Sequence, residues 1–199
     1  MAAACGVEVR DEVARFITDA VGQHGDASTL PINNAGIQTW SSLLDLDEER
    51  WDDVIHTNPN GCFPKARIGA RAPIAAGRGG TILDIGSGCT KLAVPNLVDH
   101  TASKGDIEQF TRFTTIEPGG HSILGNGVTP GAIATQQTVQ EAPDAHASRA
   151  PTTSMGRVGI SEVVAGVVPF FAGPGERCVT GRTLWVNRGA FSRATWPCH

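Results

Sequence analysis

Apolar residues recur with a helical period in four segments of the chain. In the first segment they stand at i, i+3, i+4, i+7 and i+8, which gives one apolar stripe that ends at Gly25. The second segment is longer and is broken near Asn58. In the last one Ser161 is placed to act as N-cap, with Glu162 in the first turn. The pattern therefore predicts helices over 11–25, 47–76, 101–117 and 161–171.

Short apolar runs alternate with these helices, and the first three end in turns that contain glycine. They predict buried strands over 29–32, 81–85, 123–129 and 183–186. Gly125 and Gly127 make the third strand weak, and Pro31 and Pro169 stand inside the first strand and the last helix. This alternation over 199 residues predicts an α/β fold with one doubly wound, Rossmann-like parallel sheet in a single domain.

Ligands of such sheets bind beyond the carboxyl ends of the strands. Three turns emerge at that edge, and they contain Asn34-Ala35-Gly36, Ser87 and Pro130-Gly131. Segment 134–154 is polar and has little periodicity, so we expect a mobile flap on the substrate side of this edge.

Composition excludes several classes of partner. The net charge is −4 and no basic block exists, which argues against nucleic acid and anionic membranes. The sequence shows no signal peptide and no apolar run of membrane-spanning length, so we expect a cytoplasmic protein. The five cysteines and six histidines show no ligand spacing, which predicts no metal site and no disulfide framework.

Five ordered motifs resemble the short-chain dehydrogenase/reductase family, from about Val7 to Ser192. The motifs are Asn33-Asn34-Ala35-Gly36, Trp51 with Asn58, Ser87, His100-Thr101-Ala102-Ser103-Lys104, and Pro130-Gly131-Ala132-Ile133-Ala134-Thr135. Two of them, at Trp51 and at Thr101-Ala102-Ser103-Lys104, are similar in sequence to the sugar-acid and gluconate-type dehydrogenases. Each motif is weak alone, and their common order and spacing carry the resemblance.

The resemblance implies a role for each matched residue, with NAD or NADP as cofactor. Ser87 would hydrogen-bond the substrate carbonyl, and Asn58 would support a proton relay. Lys104 would hold the cofactor ribose and lower the pKa of the acid at position 100, which lies on the same helical face. Cofactor contacts are implied for two further groups of residues: Asn34, Ala35 and Gly36 on the adenosine side, and Pro130, Gly131, Ile133 and Thr135 beside the nicotinamide.

Two departures from the family fall on the chemistry. His100 stands where the family has its catalytic tyrosine, and the chain contains no tyrosine at all. The family's glycine-rich phosphate turn should precede Val7, within two βα units of roughly 50 to 60 residues. We therefore expect residues 1–199 to form an incomplete domain whose cofactor binding is weak or lost. The strand at 29–32 would become an apolar sheet edge, which predicts a homo-oligomer.

Three functions remain open at this point. The chain is a dehydrogenase or reductase of a small-molecule carbonyl or secondary alcohol, a cofactor-free pseudoenzyme that binds or oligomerises, or a truncated gene product. A serine hydrolase built on Ser87, His100 and Asp99 is excluded, because Ile85 stands where the G-x-S-x-G motif needs glycine.

Overall fold

The computed structural model describes residues 3–24, 30–141, 144–173 and 177–192. Its helices are α1 (Arg10–His24), α2 (Glu48–Thr57), α3 (Pro59–Ala75), α4 (Val98–Phe113), α5 (Gln136–Glu141), α6 (Ala145–Arg149), α7 (Ser161–Ala165) and α8 (Val168–Ala172). Its strands are β1 (Ile32–Asn33), β2 (Gly80–Ile85), β3 (Ile123–Pro130), β4 (Ile133–Ala134), β5 (Gly159–Ile160) and β6 (Arg182–Val186). Strands and helices alternate along the chain as predicted.

The central sheet is parallel throughout, with the order β1-β2-β3-β6. A second, two-stranded parallel sheet joins β4 to β5. Hydrophobic side chains cover both faces of the central sheet. On one face Ala66 and Ala70 of α3 pack with Ile82 and Ile123 of the sheet, and α4 lies beside them. On the other face Phe171 of α8 packs with Leu83, Ile85 and Val128 of the sheet, and α7 lies beside them. The predicted α/β, Rossmann-like parallel sheet in a single domain is confirmed.

Strand β3 is longer than predicted, and its glycines are packing positions. A β-carbon at Gly125 would overlap the hydroxyl oxygen of Thr114, and one at Gly127 would lie 3.1 Å from that of Thr183. The strand runs through the middle of the sheet and is buried over most of its length. The expectation of a weak strand was wrong, because here glycine allows the strand and its neighbours to approach closely.

The segment predicted as one helix over 161–171 forms two. Helix α7 ends before Gly166, and Pro169 lies in the first turn of α8, where its missing N–H is tolerated. Ser161 is the first helical residue; the N-cap is Ile160, which makes no side-chain capping bond. The N-cap prediction was therefore wrong, whereas Glu162 does lie in the first turn.

The first strand is shorter and more polar than predicted. It contains Ile32 and Asn33, while Thr29 and Gly25 lie outside the described residues. Among the described strands β1 forms one edge of the sheet, but only Ile32 (41% exposed) presents an apolar side chain there. Asn33 is buried and donates to the carboxylate of Asp84 at 2.6 Å. The predicted apolar edge is thus a single isoleucine.

Segment 134–154 is more regular than its sequence indicates. It contains α5 and α6, and residues 142–143 within it lie outside the described part. Its mobility stays a prediction. No helix in the described ranges is long and apolar enough to cross a membrane.

Candidate active site

A small polar cleft opens where β1 ends and α4 begins. Its volume is about 110 Å³, and its walls come from the loop after β1, the first turns of α4, and α5. The lining residues are Asn34, Gly36, Ile37, Gln38, His100, Lys104, Gln137 and Thr138. The cleft therefore brings together four of the residues that the sequence motifs singled out, namely Asn34, Gly36, His100 and Lys104.

His100 lies in the first turn of α4 and is partly buried. Burial lowers its pKa from 6.5 to about 4, and the positive charge of Lys104 acts in the same direction. A hydrogen bond with the backbone of Ile37 and the charge of Asp99 oppose this shift. Among the described groups, Nδ1 of this imidazole is buried without a hydrogen-bond partner. His100 is consequently neutral at physiological pH, with one nitrogen able to donate a proton and the other able to accept one.

Lys104 follows His100 by one helical turn and is almost completely buried. Its Nζ donates to the carbonyl oxygen of Ile85, at the end of β2, over 2.8 Å. Burial lowers the pKa of this ammonium group. The lysine thus fixes the end of a central strand to the helix that carries His100.

Asn58 lies between α2 and α3 and holds the wall of the cleft in place. Its side chain is fully buried; it accepts the N–H of Ile37 at 2.8 Å and donates to that residue's carbonyl oxygen at 2.9 Å. It also donates to Ser103, whose hydroxyl bonds the carbonyl of His100. Position 36 is tightly packed, because a β-carbon there would lie 3.0 Å from Oδ1 of Asn58.

Ser87 does not join this group. Its oxygen accepts the backbone N–H of Cys89 at 3.3 Å and caps a one-turn 3-10 helix over Gly88–Thr90. It is not among the residues that line the cleft. The structure therefore unites Asn58, His100 and Lys104 around one loop and leaves Ser87 at a neighbouring strand end.

The remaining predicted cofactor residues occupy three places. Asn34 and Ala35 continue the loop after β1, where Asn34 is exposed. Pro130 ends β3, and the N–H of Gly131 donates to Val186 at 3.0 Å. Ile133 belongs to β4, and Thr135 caps α5 through reciprocal bonds with Thr138.

Sequence reasoning missed a buried polar network between two strands of the sheet and α4. Asp84 accepts hydrogen bonds from Asn33 at 2.6 Å and from the hydroxyl of Thr111 on α4 at 2.8 Å. Burial raises the pKa of this carboxyl group, while both hydrogen bonds lower it. A polar residue in an otherwise apolar strand was the available signal. The network ties β1, β2 and α4 together behind the cleft.

Comparison with known proteins assigns the chain to a family. A family model described as enoyl-(acyl carrier protein) reductase matches residues 1–190. The 3-oxoacyl-[acyl-carrier-protein] reductase of Pseudomonas aeruginosa is 33% identical over 182 residues, which are 91% of this chain and 73% of that protein. A short-chain type dehydrogenase/reductase from Mycobacterium marinum superposes with a TM-score of 0.88 at 28% identity, over 94% of this chain and 73% of the other. The chain belongs to the short-chain dehydrogenase/reductase family.

Dehydrogenases of sugar acids are among its relatives in this family. The gluconate 5-dehydrogenase of Gluconobacter oxydans is 34% identical over 160 residues, and the match spans 79% of this chain but only 62% of that enzyme. The gluconate 5-dehydrogenase of Burkholderia cenocepacia, solved with NADP and tartrate, has a TM-score of 0.87 at 27% identity, over 95% of this chain and 74% of the other. The family resemblance predicted from the motifs is confirmed.

Two residues of the cleft carry donors of the kind that a dinucleotide cofactor would need. Lys104 and Asn34 offer hydrogen-bond donors suited to a ribose. A pyrophosphate instead needs a glycine-rich turn that leads from a strand into a helix N-terminus. The turn after β2 leads only into a three-residue 3-10 helix, and a β-carbon at Gly88 would lie 2.8 Å from the ring of Phe191. The ring of Phe191 lies against this turn, and the turn does not lead into an α-helix.

Proposed function

We propose that the chain carries the proton-transfer half of a dehydrogenase or reductase site for a carbonyl or secondary alcohol, with NAD or NADP as the cofactor. His100 and Lys104 line one cleft, and Asn58 hydrogen-bonds Ile37 in its wall; this arrangement supports the proposal. The bound nicotinamide supplies or accepts the hydride. We further propose that these 199 residues hold the dinucleotide weakly, because the described residues provide no phosphate cradle.

The neutral imidazole of His100 would take the role that the family gives to tyrosine. It can donate a proton to a carbonyl oxygen or accept one from an alcohol. The ammonium group of Lys104 favours this neutral form, and Asn58 fixes the loop against which the ring lies. Ser87 would hydrogen-bond the substrate oxygen from the neighbouring strand end.

The family resemblance supports the proposed cofactor contacts and the proposed substrate class. Asn34, Ala35 and Gly36 would line the adenosine side, and the segment containing Pro130, Gly131, Ile133 and Thr135 would face the nicotinamide. Tartrate is present in the Burkholderia cenocepacia structure, and gluconate dehydrogenases are among the relatives. We therefore propose a small hydroxylated acid as the first substrate to examine.

A second candidate function is a cofactor-free pseudoenzyme that binds a small molecule or oligomerises. The observation that favours it is the turn after β2, against which the ring of Phe191 lies, together with the bond that ties Lys104 to the backbone of Ile85. A truncated gene product would share both features.

A thermal shift experiment tests whether the chain holds the dinucleotide by itself. We expect millimolar NADH or NADPH to leave the melting temperature unchanged, because we propose that binding is weak. A ligand present at 100 times its Kd would instead stabilise the fold by about 2.7 kcal/mol and raise the melting temperature. ATP at the same concentration controls for ionic effects. A saturable rise with the reduced dinucleotide, absent with ATP, would show that the chain holds its cofactor without an added phosphate turn.

Self-association is expected through the outer faces of α3 and α4. These helices line a groove of about 870 Å³ that contains Phe63 and Phe113, and Ile116 lies beside them with 71% of its surface exposed. Sedimentation at micromolar concentration should show dimers or larger species, which Ile116→Glu weakens. The control is Leu44→Glu, which places the same charge on an exposed leucine outside this groove. A stable wild-type monomer would contradict the proposal.

A further inference from the structure

Asp99 lies in the interior beside His100, and the proposed function gives it no role. Its carboxylate is fully buried. One oxygen accepts the backbone N–H of His100 at 2.5 Å. The other accepts the backbone N–H of Thr39 at 3.2 Å and also the hydroxyl of Thr39. A buried carboxylate needs donors of this kind, and bonds to an ionised acceptor are about twice as strong as neutral ones.

Thr39 belongs to the loop that forms one wall of the cleft. Asn58 holds this loop at Ile37 through both its N–H and its carbonyl oxygen. Farther along, Ser41 donates to the carbonyl oxygen of Asn96 at 3.1 Å. Between these two anchors, the carboxylate of Asp99 connects the loop to the start of α4. Asp99 therefore joins the wall to the start of the helix that carries the imidazole.

The imidazole lies against the wall that Asp99 contacts. Burial is the main cause that lowers the pKa of His100, and Ile37 in the wall hydrogen-bonds it. Lys104 and Asp99 are the charged groups that act on it, in opposite directions. If the wall moved away from α4, water would reach the ring and its burial would be lost.

We propose that Asp99 is a positioning residue of the candidate site, which holds the cleft wall at Thr39 against the helix turn that carries His100. This role rests on the proposed function only in so far as His100 is the proton-transfer group. Asp99 acts through the backbone of His100 and does not touch its ring nitrogens, so it is not a catalytic residue.

The test removes one of the hydrogen bonds between Thr39 and Asp99 and leaves the charge of Asp99 in place. Thr39→Val deletes the hydroxyl that bonds Asp99, and Thr39→Ser retains it. Ser42→Ala deletes a hydroxyl of the same loop that bonds Asp45 instead. The readout is the pKa of His100 from the NMR titration of its ring protons, assigned by their absence in His100→Gln. We expect Thr39→Val to raise this pKa by about one unit or more, a tenfold change in proton affinity, toward 6.5.

Thr39→Ser and Ser42→Ala should leave the pKa of His100 as in the wild type. A merely structural role would lower the melting temperature of Thr39→Val without moving this pKa, and that result would overturn the proposal. If Thr39→Val does not unfold cooperatively, Asp99→Asn serves instead. In that variant the backbone amides of Thr39 and His100 should exchange with deuterium at least about tenfold faster, while Val128 in β3 keeps its rate.

Equal protection of those two amides in Asp99→Asn would likewise contradict the role of Asp99. None of these measurements uses a cofactor or a substrate. A failure of the proposed oxidoreductase function would therefore leave them unaffected, and a failure here would leave the hydride-transfer proposal to be judged by its own assays.

Discussion

Lowering the pH from neutral to about 4 is expected to destabilise the folded protein by about 3 kcal/mol through His100 alone. Burial and Lys104 lower the pKa of this imidazole to about 4, whereas in the unfolded chain it binds a proton near 6.5. The unfolded state therefore takes up the proton first as the pH falls. The contribution to stability is complete above 6.5 and is lost progressively down to about 4.

Chemical denaturation at a series of pH values measures this effect. The quantity to follow is the difference in unfolding free energy between the wild type and His100→Gln, because other groups such as Asp84 titrate equally in both proteins. This difference in unfolding free energy should shrink by about 3 kcal/mol between neutral pH and pH 4. If it stays constant, the imidazole is exposed in solution, and its place in the wall of the cleft is wrong.

Hydride transfer is expected only when a phosphate cradle is supplied. The unfused wild type should show no measurable oxidation of NADPH with a carbonyl substrate. Fusion to a glycine-rich βαβ segment of a relative, combined with His100→Tyr, should raise the rate by at least about 100-fold over the unfused His100→Tyr variant. Positioning of reactants accounts for roughly 7 to 11 kcal/mol of a barrier, far more than a single proton donor supplies.

The four arms of this assay are the wild type and His100→Tyr, each with and without the fused segment. Lys104→Met in the fused His100→Tyr protein is the control, since it removes the cation one helical turn away while keeping a side chain of similar length. Appreciable activity of the unfused wild type would contradict the account of the site. Equal activity of both fused proteins would show that His100 already serves as the proton donor.

Local sequence signals predicted most of the fold. The break in the long second helix follows from Pro59, which begins α3 directly after Asn58. The first strand was predicted over 29–32 but lies at Ile32–Asn33. Its buried residue is Asn33, which donates to Asp84, 51 residues farther along the sequence. A bond between residues so far apart in sequence leaves no periodic signal. The glycines of β3 were misread for the same reason, since Thr114 and Thr183 set their packing from other elements.

Part of the candidate site was likewise predicted from the sequence, and part of it was not. His100 and Lys104 stand four residues apart, which lets them share one helical face, and the family resemblance assigned both to one site. The part played by Asp99 could not be read from sequence, because its partner Thr39 lies 60 residues away. Ser87 follows a central strand as predicted, but its oxygen caps the next turn, which a sequence pattern does not specify.

Ionisation of a phenol at position 100 tests most directly whether the family's proton-transfer groups converge in this chain. The protein contains no tyrosine, so the phenol introduced by His100→Tyr can be titrated alone by ultraviolet absorbance. Adding Lys104→Met should raise its pKa by about one unit or more, because a nearby cation favours phenolate. Adding Lys91→Met, which removes an exposed lysine outside the cleft, should leave that pKa unchanged. An identical phenol pKa with and without Lys104 would contradict the site described here.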